Sequence, residues 1–155
     1  MYPIERIRIL GVPMDCVGMA EAVQFADNLI TTGGRGAIFA VNPEKIMAAR
    51  EQPELLAALN SAALLIPDGI GAIFAARLNG IRGLERVAGA ELMPELCTLA
   101  QQKGYGVYLF GGRPEVNPTT ARRLVEQFPG LHIAGRHHGF VDENQQDALI
   151  DNINR

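Results

Sequence analysis

A chain of 155 residues is long enough to bury a substantial core in one domain, and its 48% hydrophobic and 20% charged residues describe an ordinary globular protein. A net charge of −3, only 6% aromatic residues and no tryptophan exclude the basic face and stacking platforms on which nucleic-acid binding depends. Cys16 and Cys97 lie far apart and form no CxxC pair, which suits a reducing cytoplasm better than a disulfide scaffold.

The opening MYPIERIRIL has no sustained apolar core, so no signal peptide is expected. RIRIL (6–10) suits a strand, and GVPMD a turn or short extended piece after it. Apolar residues at 19, 22, 23, 26, 29 and 30 form a helical stripe closed by Gly33-Gly34. GAIFAV (36–41) reads as a short buried strand, after which Asn42 can cap a helix that has Pro43 in its first turn. Residues 53–60 are a further helix and ALLI (63–66) a further strand.

Ile70, Ile73, Phe74 and Leu78 mark one face of the next predicted helix, and Leu92, Met93, Leu96, Leu99 and Ala100 a face of the one after. The apolar neighbourhood 62–76 is broken by Pro67, Asp68 and glycines, too short and interrupted to cross a bilayer. GVYLF (106–110) is a buried strand running into GGRPE, and Asn117-Pro118 opens a helix. LHIAG is a last strand, Arg136, His137 and His138 a small basic loop, and residues 143–153 a last helix. Strands alternating with helices imply an α/β, Rossmann-like three-layer domain: a mostly parallel sheet with helices on both faces, spanning 1–155 as one domain. Ligands of such sheets bind at the carboxyl ends of the strands, which selects Asn42–Lys45, Asp68–Gly71 and Gly111–Glu115 as a rim.

Asp68 stands between an apolar strand and a helix. It either caps that helix, its carboxylate accepting a backbone N–H, or serves as a general base or substrate ligand. Gly69 and Gly71 occupy two slots of a dinucleotide fingerprint, but Phe74 fills the third and no acid-terminated strand follows, which leaves an NAD-dependent oxidoreductase an outside reading. Gly111 and Gly112 make either a tight turn or a backbone surface that lets phosphate or ribose approach. Arg86 is either a solvated charge with its stem packed on a helix or a planar fork for a diphosphate. The chain has no D-x-D pair and no carboxylate or cysteine to complete a site with the adjacent histidines, so neither a metal nor a cofactor is expected.

VNPEKI, LLIPDGIG, LERVAG, VYLFGG and the GRHHGF loop, in this order and spacing, resemble the WecG/TagA/CpsF family of bacterial glycosyltransferases across nearly the whole chain. The resemblance implies transfer of N-acetylmannosamine or a related sugar from a UDP-sugar donor to a polyprenyl-diphosphate-linked acceptor, in teichoic acid or surface polysaccharide synthesis. It implies Asp68 as catalytic base, with Asn42 lining the site and Arg86 facing acceptor or diphosphate. Gly69, Gly111 and Gly112 are the backbone groups expected to meet substrate. It further implies a cytoplasmic protein peripheral to the inner membrane surface, with contact made by a basic tail. Two departures stand out. Ala40 occupies a position where the family commonly has threonine, and the chain stops at IDNINR, before the family's P-K-Q-E-like segment and tail. A protein lacking its carboxyl-terminal portion is therefore expected, with an uncovered sheet edge that favours self-association. A non-catalytic nucleotide-sugar-binding or assembly module is the competing reading.

Overall fold

A computed structural model describes residues 4–154. The chain divides into two compact units, Met1–Glu95 and Leu96–Arg155.

In the first unit, β1 (Arg6–Ile9) and β2 (Val12–Asp15) form an antiparallel hairpin with Ile9 opposite Val12. Its two-residue turn has Leu10 at φ 51° and Gly11 at φ 85°. Positive φ at both turn positions matches the right-handed twist of the flanking strands. GVPMD is thus more than a turn: residues 12–15 are a fully buried strand. Helix α1 (Met19–Thr31) follows, burying Ala22 and Ala26. Strand β3 (Ile38–Val41) pairs in parallel with β4 (Leu64–Pro67), and helices α2 (Pro43–Glu51) and α3 (Pro53–Asn60) form the crossover between them. Helix α4 (Ile70–Leu78) leaves the end of β4. The core joins Val12, Met14, Val41, Ile46, Leu59 and Leu65. All four residues of β4 are buried, as expected of a strand covered on both faces.

One buried carboxylate organises this core. Asp15, 2% exposed, accepts hydrogen bonds from Arg6 Nε (2.6 Å) and Nη2 (2.9 Å) and from the Leu65 backbone N–H (2.8 Å). Leu64 N–H faces the other way, towards Ala37 O in the β3 direction. Asp15 therefore takes the donor that β4 turns away from β3, the place a neighbouring strand would fill. The hydrogen bonds to Asp15 also hold the Arg6 guanidinium above the usual arginine range, outweighing its partial burial.

Helix α5 (Gly89–Lys103) spans the division. In the second unit, β5 (Gly106–Phe110) pairs in parallel with β6 (His132–His137), with α6 (Val116–Gln127) as the crossover. A register shift follows Val107, and there Tyr108 lies opposite Gly135. The Tyr108 ring occupies the space a Cβ on residue 135 would need, 2.5 Å from that position, so only glycine fits. Cys97, Ala100, Leu124, Phe128 and Leu131 make the core of this unit. A 3-10 turn (Glu143–Gln145) leads into α7 (Gln146–Ile153), where one continuous helix was expected.

The α/β class agrees with expectation; the strand pairing is more fragmented than the single sheet expected. Among the described residues the strands form three separate pairs, one antiparallel and two parallel. Each strand is only four to six residues long, and Pro13 and Pro67 remove ladder donors from β2 and β4. Arg136 and His137 belong to β6 rather than to a loop, because β5 pairing continues through Phe110 opposite His137.

Replacing Asp15 with alanine removes the partner of a buried backbone donor and frees a half-buried guanidinium. The expected cost is roughly 2–4 kcal/mol, read as a lower urea midpoint at unchanged slope.

Candidate active site

The parallel register of β3 and β4 places Val41 opposite Pro67. Asn42 and Asp68, each the next residue, therefore leave adjacent strand ends together. Asp68 N–H donates to Val41 O (2.9 Å), extending the ladder one step. Asn42 caps α2 as the sequence suggests: its Oδ1 accepts from Lys45 N–H at 2.8 Å, with Pro43 in the first turn. Lys45 Nζ reaches back to Ala40 O at 2.7 Å. With its oxygen engaged, Asn42 offers a ligand the hydrogens of its amide nitrogen.

Asp68 does not cap α4. The cap is Gly69, at φ 84° and ψ 149°, and no side chain bonds the helix start. That conformation lies in the region that excludes a Cβ, so Gly69 turns the chain sharply and leaves the carboxylate outside the helix. Gly71 allows close packing: a Cβ there would stand 2.6 Å from Pro43 Cγ, bringing the starts of α4 and α2 together. The Asp68 side chain remains 26% exposed, with an oxygen 3.9 Å from Arg86 Nη1.

Arg86 arrives through the backbone. Val87 N–H donates to Pro67 O at 2.8 Å, which anchors the LERVAG segment beside the end of β4. The guanidinium then lies between Asp68 and Glu91, with Nη2 in close contact with Glu91 Oε1. It is a paired group at a strand end, with its side chain 41% exposed. Asn42, Asp68, Gly69 and Arg86 thus form one constellation within the first unit, with an amide, a carboxylate and a guanidinium. Ala40 lies below it, with its Cβ 3.6 Å from where a Cβ on Gly89 would stand.

An open groove of about 510 Å³ elsewhere in the first unit is lined by Cys16, Gly18, Glu21, Arg82 and Glu85 among others, and includes none of Asn42, Asp68 or Arg86. The assignment therefore rests on strand ends and side-chain chemistry rather than on cavity size. Burial pushes the Cys16 thiol up, with Glu5 and Asp15 adding to the effect, and burial does the same to Cys97. Both are protonated at neutral pH, which argues against a cysteine nucleophile.

Gly111 and Gly112 lie in the second unit, where β5 runs into α6. Their φ angles, 124° and 71°, fall in the region that favours glycine. A cleft of about 290 Å³ runs beside them, bordered by Tyr108, Phe110, Val116 and Thr120. Among the described residues no group of three His, Cys, Asp or Glu is placed to hold a metal ion.

Residues 7–155 match the Glycosyl transferase WecG/TagA/CpsF family. The chain belongs to that family. It is also 35% identical, over 133 residues, to the N-acetylglucosaminyldiphosphoundecaprenol N-acetyl-beta-D-mannosaminyltransferase of Bacillus spizizenii. That match covers 83% of this chain and 52% of the relative, so the chain spans about half the length of the curated protein it matches.

One residue of this WecG/TagA/CpsF chain escaped sequence reasoning. Asn117 looked like a helix opener, but α6 begins at Val116 and Asn117 is buried, 5% exposed. Its Nδ2 donates to Gly111 O and His137 O, both at 3.0 Å, and more weakly to Leu109 O at 3.3 Å. Gly111 N–H to His137 O and Gly139 N–H to Gly112 O complete a clasp between the ends of β5 and β6. An asparagine followed by proline reads as a turn or cap; only the folded strand ends supply three carbonyls to one amide. Asn117→Ala is expected to cost about 1–3 kcal/mol and to speed amide exchange at Gly111 and Gly139, measured by denaturation and hydrogen exchange.

Proposed function

We propose that this family member is an inverting glycosyltransferase that moves N-acetylmannosamine or a related sugar from a UDP-sugar to a polyprenyl-diphosphate-linked acceptor. The observation that carries this reading is the Asp68 carboxylate, 26% exposed and free of the helix cap. It stands at a strand end beside Asn42 and Arg86, and the helix that follows it is capped by another residue. The name of the Bacillus spizizenii relative supplies the sugar and the class of acceptor.

In the proposed reaction Asp68 accepts the proton of an acceptor hydroxyl as that oxygen attacks the anomeric carbon. The bond from that carbon to the diphosphate breaks, and UDP departs with the electron pair. Arg86, held between Asp68 and Glu91, orients the base and faces the acceptor or diphosphate. Asn42 donates its amide hydrogens to a sugar oxygen. In the second unit, the Gly111–Gly112 backbone gives a nucleotide close approach. The arrangement fitting this activity is a Rossmann-like three-layer domain acting in the cytoplasm at the inner membrane face.

Ala40 favours a second reading, a nucleotide-sugar-binding module without turnover, because a hydroxyl common in the family is missing beside Asn42. Two measurements separate the readings. Asp68→Asn is expected to keep the fold and the UDP-induced rise in melting temperature, while UDP release with a lipid-linked acceptor falls by about 10²–10⁴-fold. Turnover near the wild-type rate in that variant would remove Asp68 from the base role. A UDP-dependent thermal shift with no UDP release from the unmodified chain would select the binding module.

A substitution in the glycine loop tests the nucleotide contact independently. Gly111→Val puts a β-branched side chain at a φ it rarely adopts, with an expected strain of roughly 1–3 kcal/mol. The expected signature is loss of the UDP thermal shift in a chain that still unfolds cooperatively.

A further inference from the structure

Helix α4 is apolar on the wrong side for a soluble core. Ala72, Ile73 and Ala76 are buried, yet Ile70, Phe74 and Leu78 are 81%, 62% and 74% exposed. Residues four apart on a helix advance by only about 40°, so these three form one stripe running its length. Isolated exposed hydrophobics are unremarkable, but three bulky side chains in a row on one short helix make a continuous patch.

The charge around this stripe selects its occupant. Arg77 lies on the same side as Ile70 and Phe74 and is exposed, whereas Arg82, in the connection that follows, lines the groove with Glu21 and Glu85. No acid occurs from residue 70 to residue 84, although the chain as a whole carries −3. The flanking acids are turned to other partners: Asp68 faces Arg86, and Glu85 lies against Gly18 at the start of α1. Bulky apolar residues flanked by arginine and free of acids are the pattern of a helix lying in a lipid interface. The Arg77 stem contributes to the apolar side while its head reaches the phosphates.

We propose that the solvent face of α4, with Ile70, Phe74, Leu78 and Arg77, docks on an anionic lipid surface. This locates membrane contact within the present chain, where the sequence suggested none. No described helix is long and apolar enough to cross a membrane, so the contact is interfacial. Because α4 begins two residues after Asp68, docking sets the end of β4 against the bilayer. The significance of that placement for a lipid-linked acceptor rests on the transferase reading; the docking surface itself does not.

The test is flotation of the full chain with vesicles of phosphatidylcholine alone or mixed with phosphatidylglycerol. Wild type is expected on the mixed vesicles and to be released by salt. Phe74→Asp and, separately, Leu78→Asp are expected to weaken binding by about tenfold or more, with melting curves verifying that these exposed substitutions leave the fold intact. Arg77→Gln is expected to weaken binding to the anionic vesicles by about fivefold. Equal flotation of wild type and both aspartate variants would overturn the proposal. So would a concentration-dependent dimer, dispersed by Phe74→Asp, that ignores vesicles. Vesicle binding without UDP release from a UDP-sugar in the presence of a lipid-linked acceptor would support the docking face and count against the transferase reading alone.

Discussion

The parallel pairing of β3 with β4 is the constraint from which the candidate site follows. Val41 opposite Pro67 makes Asn42 and Asp68 neighbours at two strand ends, whatever their 26-residue separation in the chain. Parallel strands need a crossover, and α2 and α3 supply it, so the site's asparagine is also the cap of the first crossover helix. The pairing in turn depends on the position of β4, which the Asp15 carboxylate secures by binding Leu65 N–H on the side turned away from β3. A buried ion pair of this kind adds little net stability compared with apolar packing, but it specifies which strand lies where. The hydrogen-bonded chain from Arg6 through Asp15 to Leu65 thereby fixes the strand that delivers Asp68.

Two glycines and one backbone hydrogen bond convert that strand end into a site. Gly69 takes the helix-capping role through its backbone conformation, leaving the Asp68 carboxylate outside the cap, and Gly71 lets α4 approach Pro43. Val87 N–H on Pro67 O then positions Arg86 against the carboxylate. The division of labour is between backbone and side chain: main-chain groups set the position of the carboxylate and the guanidinium, which pair with each other. In the second unit Asn117 shows the reverse arrangement, with a side chain immobilising the backbone of Gly111 and its neighbours.

The solvent face of α4 extends the same economy. A helix that packs mainly through small residues, Gly71, Ala72, Ala75 and Ala76 with Ile73, needs little of its surface for the core, which leaves bulkier residues for another solvent or partner. Burying three such side chains in a lipid interface would compensate for keeping them exposed in water.

Much of this protein was legible before any coordinates. Period, glycines and prolines located nearly every helix and strand, and the Asn42-Pro43 cap and the crossover logic could be read from neighbouring residues because these are local interactions. The motif string led to the right family for a similar reason, since strand-end residues keep their spacing. Other features needed the fold. Ile70, Phe74 and Leu78 have the periodicity of a buried stripe, and only the packing of smaller residues against the core shows that they face outward. Asp68 as cap or as free carboxylate was undecidable from its position, because the answer lies in the φ of Gly69. Asp15 in GVPMD looked like a turn residue, and Asn117 like a helix opener. Their roles come from a strand N–H fifty residues away and from carbonyls on two strand ends. Local propensity is written in consecutive residues, whereas the partner of a buried polar group is decided only when distant segments meet.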